Sequence, residues 1–103
     1  MIPEVHPSKV EEKKQEGYTI IDVRSKEEYD GELGHIEGSK LVTLGEDLTS
    51  WLKEQDKDSK IIFVCRSGGR SGKATEEAIG FGIKDTINMT GGMLLWNDLK
   101  STD

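Results

Sequence analysis

Twelve residues, Ile61-Ile62-Phe63-Val64-Cys65-Arg66-Ser67-Gly68-Gly69-Arg70-Ser71-Gly72, constrain this chain more than any other stretch. The four apolar residues, two of them Ile and one Val, read as a buried strand. The chain's one cysteine follows at once, then small residues and two arginines. Beyond them Ala74, Ala78 and Phe81 repeat at helical spacing. A strand that runs into a cysteine, a glycine-rich turn and a helix start makes an anion site. The turn aims several backbone N–H groups at one point, and the helix N-terminus adds partial positive charge. Cys65 is therefore a candidate thiolate.

A lone cysteine is more often a small buried hydrophobe, and such a residue belongs inside an apolar run. Cys65 instead sits at the hinge into Arg-Ser-Gly-Gly-Arg. The nine residues 65–73 carry three cations and no acid, in a chain whose net charge is −6. That local reversal of charge favours a functional thiol.

The rest of the composition excludes whole classes. A length of 103 residues implies one domain over 1–103. The acidic balance argues against nucleic acid, which needs a basic face. No apolar run approaches membrane-spanning length, and Met1-Ile2-Pro3-Glu4 lacks the charged start and apolar core of a signal peptide, so no membrane and a cytoplasmic setting are expected. A single cysteine excludes an internal disulfide, a Cys-x-x-Cys pair and a cysteine-based zinc site. With only His6 and His35 besides, neither a metal nor a cofactor is expected.

In chain order, Glu4-Val5-His6 reads as a short edge strand, and Ser8-Lys9-Val10-Glu11 as a capping box opening a charged helix that Gly17 stops. Tyr18-Thr19-Ile20-Ile21-Asp22-Val23 is a second buried strand. Ser25-Lys26-Glu27-Glu28 caps a short helix carrying Tyr29, and a glycine-rich loop covers 31–38. Lys40-Leu41-Val42 is a short strand, and Leu48, Trp51 and Leu52 mark one face of a helix that fades into the polar run 54–60. Thr86-Ile87-Asn88-Met89 is a last strand, and Gly91-Gly92 leads to a terminal helix with Leu95, Trp96 and Leu99. Trp51 and Trp96 are expected in the core. Strands alternating with helices imply an α/β fold, a small parallel sheet with helices on both faces. Cys65 then lies at the carboxyl end of a central strand, where open parallel sheets form their ligand crevices.

Cys-Arg-Ser-Gly-Gly-Arg-Ser resembles the active-site loop of the rhodanese (thiosulfate sulfurtransferase) family in its single-domain form. Three further stretches agree in kind and order: Ile21-Asp22-Val23-Arg24 with Glu28-Tyr29, Gly34-His35-Ile36-Glu37-Gly38-Ser39, and Gly91-Gly92-Met93-Leu94-Leu95-Trp96. Together they run from about residue 4 to 99. The resemblance implies a rhodanese-like domain whose Cys65 takes the outer sulfur of a donor as a persulfide. A thiophilic acceptor, cyanide or a thiol, then discharges it. Donors would be thiosulfate, a persulfide or polysulfide, and a thiol-carrying protein is a further partner.

By the same resemblance, the N–H groups of residues 66–71 cradle the sulfur, with Gly68 and Gly69 suiting so tight a turn. Arg66, Ser67, Gly68, Gly69, Arg70 and Ser71 form the substrate-binding loop, with Arg70 facing the pocket. Arg66 either meets an anionic donor or is a solvent-facing or salt-bridged arginine. Ser67 and Ser71 either donate to a bound anion or, for Ser71, cap the helix. Asp22, Arg24 and His35 are read as structural support, with Asp22 pairing an arginine or accepting backbone hydrogen bonds.

Two positions depart from the family pattern. Glu37 stands where proline is frequent, and Ser67 stands where some thiosulfate-using members carry a basic residue. Three functions compete: a sulfurtransferase, a cysteine-dependent phosphatase or arsenate reductase, and a non-catalytic binding module. Such phosphatases use Cys-x5-Arg, whereas Cys65 to Arg70 is Cys-x4-Arg, a loop better sized for sulfur. The module arises when the cysteine is lost, and here it is present.

Overall fold

The computed structural model describes residues 2–101; Met1, Thr102 and Asp103, part of the expected 1–103 domain, lie outside the described residues. The elements run β1 (Glu4–Val5), a 3-10 turn (Pro7–Lys9), α1 (Val10–Gln15), β2 (Thr19–Asp22), α2 (Lys26–Tyr29), β3 (Lys40–Leu41), α3 (Glu46–Lys53), β4 (Lys60–Val64), α4 (Gly69–Gly80), β5 (Asp85–Met89) and α5 (Gly92–Ser101). The five strands are all parallel, in the order β1-β5-β4-β2-β3. The strand before the cysteine is therefore central, with Ile62 level with Ile20 on one side and Ile87 on the other.

Alternate residues of β4 feed two separate cores, which is why its sequence is a continuous apolar run. Ile61 and Phe63, with Cys65 just beyond, join Ile21, Val23, Leu48, Leu52, Ala74 and Ala78, so α3 and α4 cover that face. Ile62 and Val64 join Val5, Val10, Ile20, Ile36, Met89 and Met93, so α1 and α5 cover the other. Trp51 and Trp96 are half-buried and pack against the margins of these two cores.

The start of the chain differs from the sequence expectation. Ser8 does not cap a helix. His6 is extended (φ −73°, ψ 143°), and its Nδ1 accepts the Ser8 N–H at 3.2 Å, so the chain enters a 3-10 turn with Pro7 at its first position. Proline is already set for helical φ and has no N–H to leave unpaired, which favours this earlier start. The helix proper begins at Val10, whose buried side chain is its hold on the core. The second capping box forms as expected: Ser25 Oγ accepts from the Glu28 N–H, and Glu28 Oε1 accepts from the Ser25 N–H.

Candidate active site

Cys65 follows the last residue of β4 and is 1% exposed. The chain then turns at Gly68, whose φ of +109° places it in the left-handed region, and α4 begins at Gly69. A side chain at Gly68 would be strained, so the sharpness of this turn depends on glycine. The turn brings the Gly68 N–H to 3.1 Å from Cys65 Sγ and the Ser71 Oγ to 3.3 Å. Burial pushes the thiol up, but the Ser71 hydroxyl and the N–H groups of Ser71, Gly68 and Ser67 outweigh it, so Cys65 ionises below its ordinary value. Of the cradle expected from residues 66–71, the Gly68 N–H and the Ser71 hydroxyl stand within hydrogen-bond distance of the sulfur. Ser71 is not a cap: it lies in the first turn of α4, behind the N-cap Gly68.

Behind Ser71 stands Asn88 of β5, a residue with no role in the sequence reading. Ser71 Oγ donates to Asn88 Oδ1, and Asn88 Nδ2 donates to the Gly68 carbonyl at 3.2 Å. Asn88 is 4% exposed and Ser71 fully buried. One amide side chain therefore ties both ends of the sulfur cradle to the neighbouring strand. The available signal was an asparagine between the apolar Ile87 and Met89, where a buried amide must find partners.

The two arginines differ. Arg66 is exposed and has no ion-pair partner among the described residues. Arg70 is engaged: its Nη1 and Nη2 donate to Glu28 Oε1 and Oε2 at 2.7 and 2.8 Å. This two-point pair, with further hydrogen bonds from Ser25, holds the Glu28 carboxyl at about 2 despite an opposing contribution from burial. Glu28 likewise raises Arg70, with the nearby Cys65 and Asp22 adding to it. Arg70, expected to face an anionic donor, is thus neutralised from α2. Arg66 lines a cavity of about 270 Å³ with Glu27, Glu32 and Leu33.

Asp22 and Arg24 are both 1% exposed and form a bidentate pair, Nε to Oδ1 at 2.9 Å and Nη2 to Oδ2 at 2.8 Å. Asp22 Oδ1 also accepts the Arg24 N–H. The remaining guanidinium donors reach the Glu28 carbonyl at 3.2 Å and the Gly34 carbonyl at 2.7 Å. The pair therefore fixes the end of α2 and the glycine loop. His35 is exposed, stacks on Tyr29 with ring centroids 3.6 Å apart, and its Nδ1 meets the Tyr29 carbonyl at 2.9 Å. None of these three touches the thiol directly.

The closing glycines also belong to the site. The Met93 and Leu94 N–H groups, at the start of α5, donate to the Cys65 and Arg66 carbonyls at 2.8 and 3.1 Å. A Cβ on Gly92 would fall 2.4 Å from the Arg66 carbonyl, so this approach exists only with glycine. With its carbonyls tied to α5, the loop turns its N–H groups toward sulfur. Among the described residues no group of three or more His, Cys, Asp or Glu could hold a metal ion, and no helix is long and apolar enough to cross a membrane.

Residues 6–99 match the model of the rhodanese-like domain. The chain is 33% identical to thiosulfate sulfurtransferase 18 of Arabidopsis thaliana, over 82% of its own length and 70% of that protein's. It is 26% identical to the thiosulfate sulfurtransferase GlpE of Pseudomonas syringae, over 89% and 84%. A crystal structure of a rhodanese-like domain protein from Staphylococcus aureus superposes with a TM-score of 0.79 at 29% identity, covering 92% of this chain and 91% of that one. Over nearly its whole length, then, the chain belongs to the rhodanese-like domain family.

Proposed function

We propose that the protein is a sulfurtransferase acting as one domain over residues 1–103. It moves a sulfane sulfur from thiosulfate, a persulfide or a polysulfide to cyanide or a thiol, including a thiol on a partner protein. The observation that carries this is the Cys65 sulfur itself, held by the Gly68 N–H and the Ser71 hydroxyl and ionising below its ordinary value. The Cys65 thiolate attacks the outer sulfur of the donor. The donor's sulfur–sulfur bond breaks, and its electron pair leaves with sulfite or with a thiolate. The product is a Cys65 persulfide anion, whose terminal sulfur lies one bond further out from the cradle. Cyanide or a thiolate takes that sulfur and returns the Cys65 thiolate, a two-step exchange with ping-pong kinetics.

The sulfurtransferase names of the two relatives, at 33% and 26% identity, support this chemistry. The Cys-x4-Arg spacing and the capture of Arg70 by Glu28 weigh against a phosphatase or arsenate reductase. The first makes the loop one residue shorter than a phosphatase's, and the second engages the arginine that closes it. An unpaired cysteine suits a reducing, cytoplasmic setting.

Intact-protein mass spectrometry after incubation with thiosulfate or an alkyl persulfide is the test. Wild type should gain one sulfur that cyanide removes, and Cys65→Ser should gain none. A Cys65-dependent hydrolysis of phosphate esters faster than sulfur transfer would overturn the assignment.

A further inference from the structure

Ser71 has one hydroxyl proton and two acceptors within reach. Asn88 Oδ1 accepts it here, and Cys65 Sγ lies 3.3 Å from the same oxygen. With Cys65 as a thiol the chain of bonds closes without conflict: S–H donates to Ser71 Oγ, Ser71 O–H to Asn88 Oδ1, and Asn88 Nδ2 to the Gly68 carbonyl. Ionisation of Cys65 breaks this order. If the hydroxyl stays on Asn88, two acceptors face each other across 3.3 Å; if it turns to sulfur, a buried amide oxygen loses its donor.

We propose that Asn88 is a positioning residue for the sulfur nucleophile: it competes with the Cys65 thiolate for the single proton of the Ser71 hydroxyl, and that proton swings to sulfur when Cys65 ionises. Asn88 therefore opposes ionisation through Ser71 while favouring it through Gly68, whose carbonyl it holds so that the Gly68 N–H stays on sulfur. The groups that face this network from other elements do not compete for the proton. Arg66 is exposed, Arg70 is held by Glu28 of α2, and Asp22 and Arg24 satisfy each other. The residues α5 brings to the loop, Gly92, Met93 and Leu94, are uncharged. The thiol therefore senses Asn88 through Ser71 rather than through an added charge.

The inference takes Cys65 as the nucleophile from the reading above, but its test reads the thiol alone. Thiol titration and sulfur transfer can thus fail independently. The midpoint of alkylation rate against pH, checked by ultraviolet thiolate absorbance, is measured for wild type, Ser71→Ala, Asn88→Ala and the double variant. Ser71→Ala removes a donor to sulfur and should raise the midpoint by about one pH unit. Asn88→Ala frees the hydroxyl for sulfur and should lower it by about half a unit. In the Ser71→Ala background Asn88→Ala should no longer lower it. A role confined to bracing Gly68 predicts the opposite sign, a raised midpoint in Asn88→Ala, because the Gly68 N–H would drift from sulfur. That result, or an equal lowering with and without Ser71, overturns the proposal. Asn88→Val, a strand former lacking the acceptor, serves if the alanine variant does not fold, and the same signs decide.

Discussion

Glu28 grips the Arg70 guanidinium with both carboxylate oxygens, at 2.7 and 2.8 Å, so the arginine that closes the Cys65 loop is already paired with a carboxylate. Replacing that carboxylate with the isosteric amide should release one positive charge beside the thiol. Gln keeps the capping box with Ser25, so the helix should survive. The gain should scale with donor charge. Glu28→Gln should raise kcat/KM about threefold for a singly charged alkanethiosulfonate and about tenfold for doubly charged thiosulfate, with both gains shrinking in high salt. In a ping-pong scheme kcat/KM for the donor reports the loading step alone, so steady-state kinetics with the two donors suffice. Equal gains for both donors would show that Glu28 acts on loop shape rather than charge.

The same pair makes an acid-stability signature. Glu28 is lowered from 4.5 to about 2, chiefly by its hydrogen bonds to Arg70, so its contribution is fully present above the unfolded value and is lost as pH falls through the folded one. The urea midpoint of wild type should therefore exceed that of Glu28→Gln by a constant margin above about pH 5. The two curves should converge as pH approaches 2. A margin that persists to the lowest pH would assign the stabilisation to packing.

Asp22 and Arg24 should behave as a buried unit. Asp22→Ala leaves a guanidinium 1% exposed without its carboxylate, and chemical denaturation should show a loss of about 3–5 kcal/mol. The double change Asp22→Leu with Arg24→Met should lose less than Asp22→Ala alone, because no uncompensated charge remains. Losses that simply add would mean the two side chains do not interact.

Gly92→Ala should move the thiol more than it moves the fold. The added methyl meets the Arg66 carbonyl and must push α5 away from the loop. Freed carbonyls let the cradle relax, and the alkylation midpoint should climb above that of wild type, whose thiol is held below its ordinary value. Far-ultraviolet circular dichroism should change little. An unshifted midpoint would show that the cradle stands without α5.

The parts of this design that were legible in the sequence are those written in local patterns. The β4 run is apolar because both its faces are covered, so Ile61 to Val64 announced a central strand and Cys65 its carboxyl end. Ser25 and Glu28 announced a capping box that spans four residues. What stayed hidden depends on which residues the sheet order brings together. Arg70 and Glu28 are 42 positions apart and meet only because β2 lies beside β4, so the loop's charge was overestimated. Asn88 is 17 positions from Ser71 and acts across the β4–β5 neighbour pair. His6 displaced the Ser8 cap because Pro7 let the turn begin earlier, a contest between two local signals that neither decides alone.

The bonds from Met93 and Leu94 to the Cys65 and Arg66 carbonyls also set an order of events during synthesis. Cys65 emerges from the ribosome well before the segment that shapes its loop. At about 5–20 residues per second, the nearly thirty residues between them take roughly one to six seconds to add. During that interval the α5 brace is missing, and Cys65 is nearer to an ordinary thiol, slow toward oxidants and electrophiles. The loop around Cys65 is completed only once the α5 segment has been made.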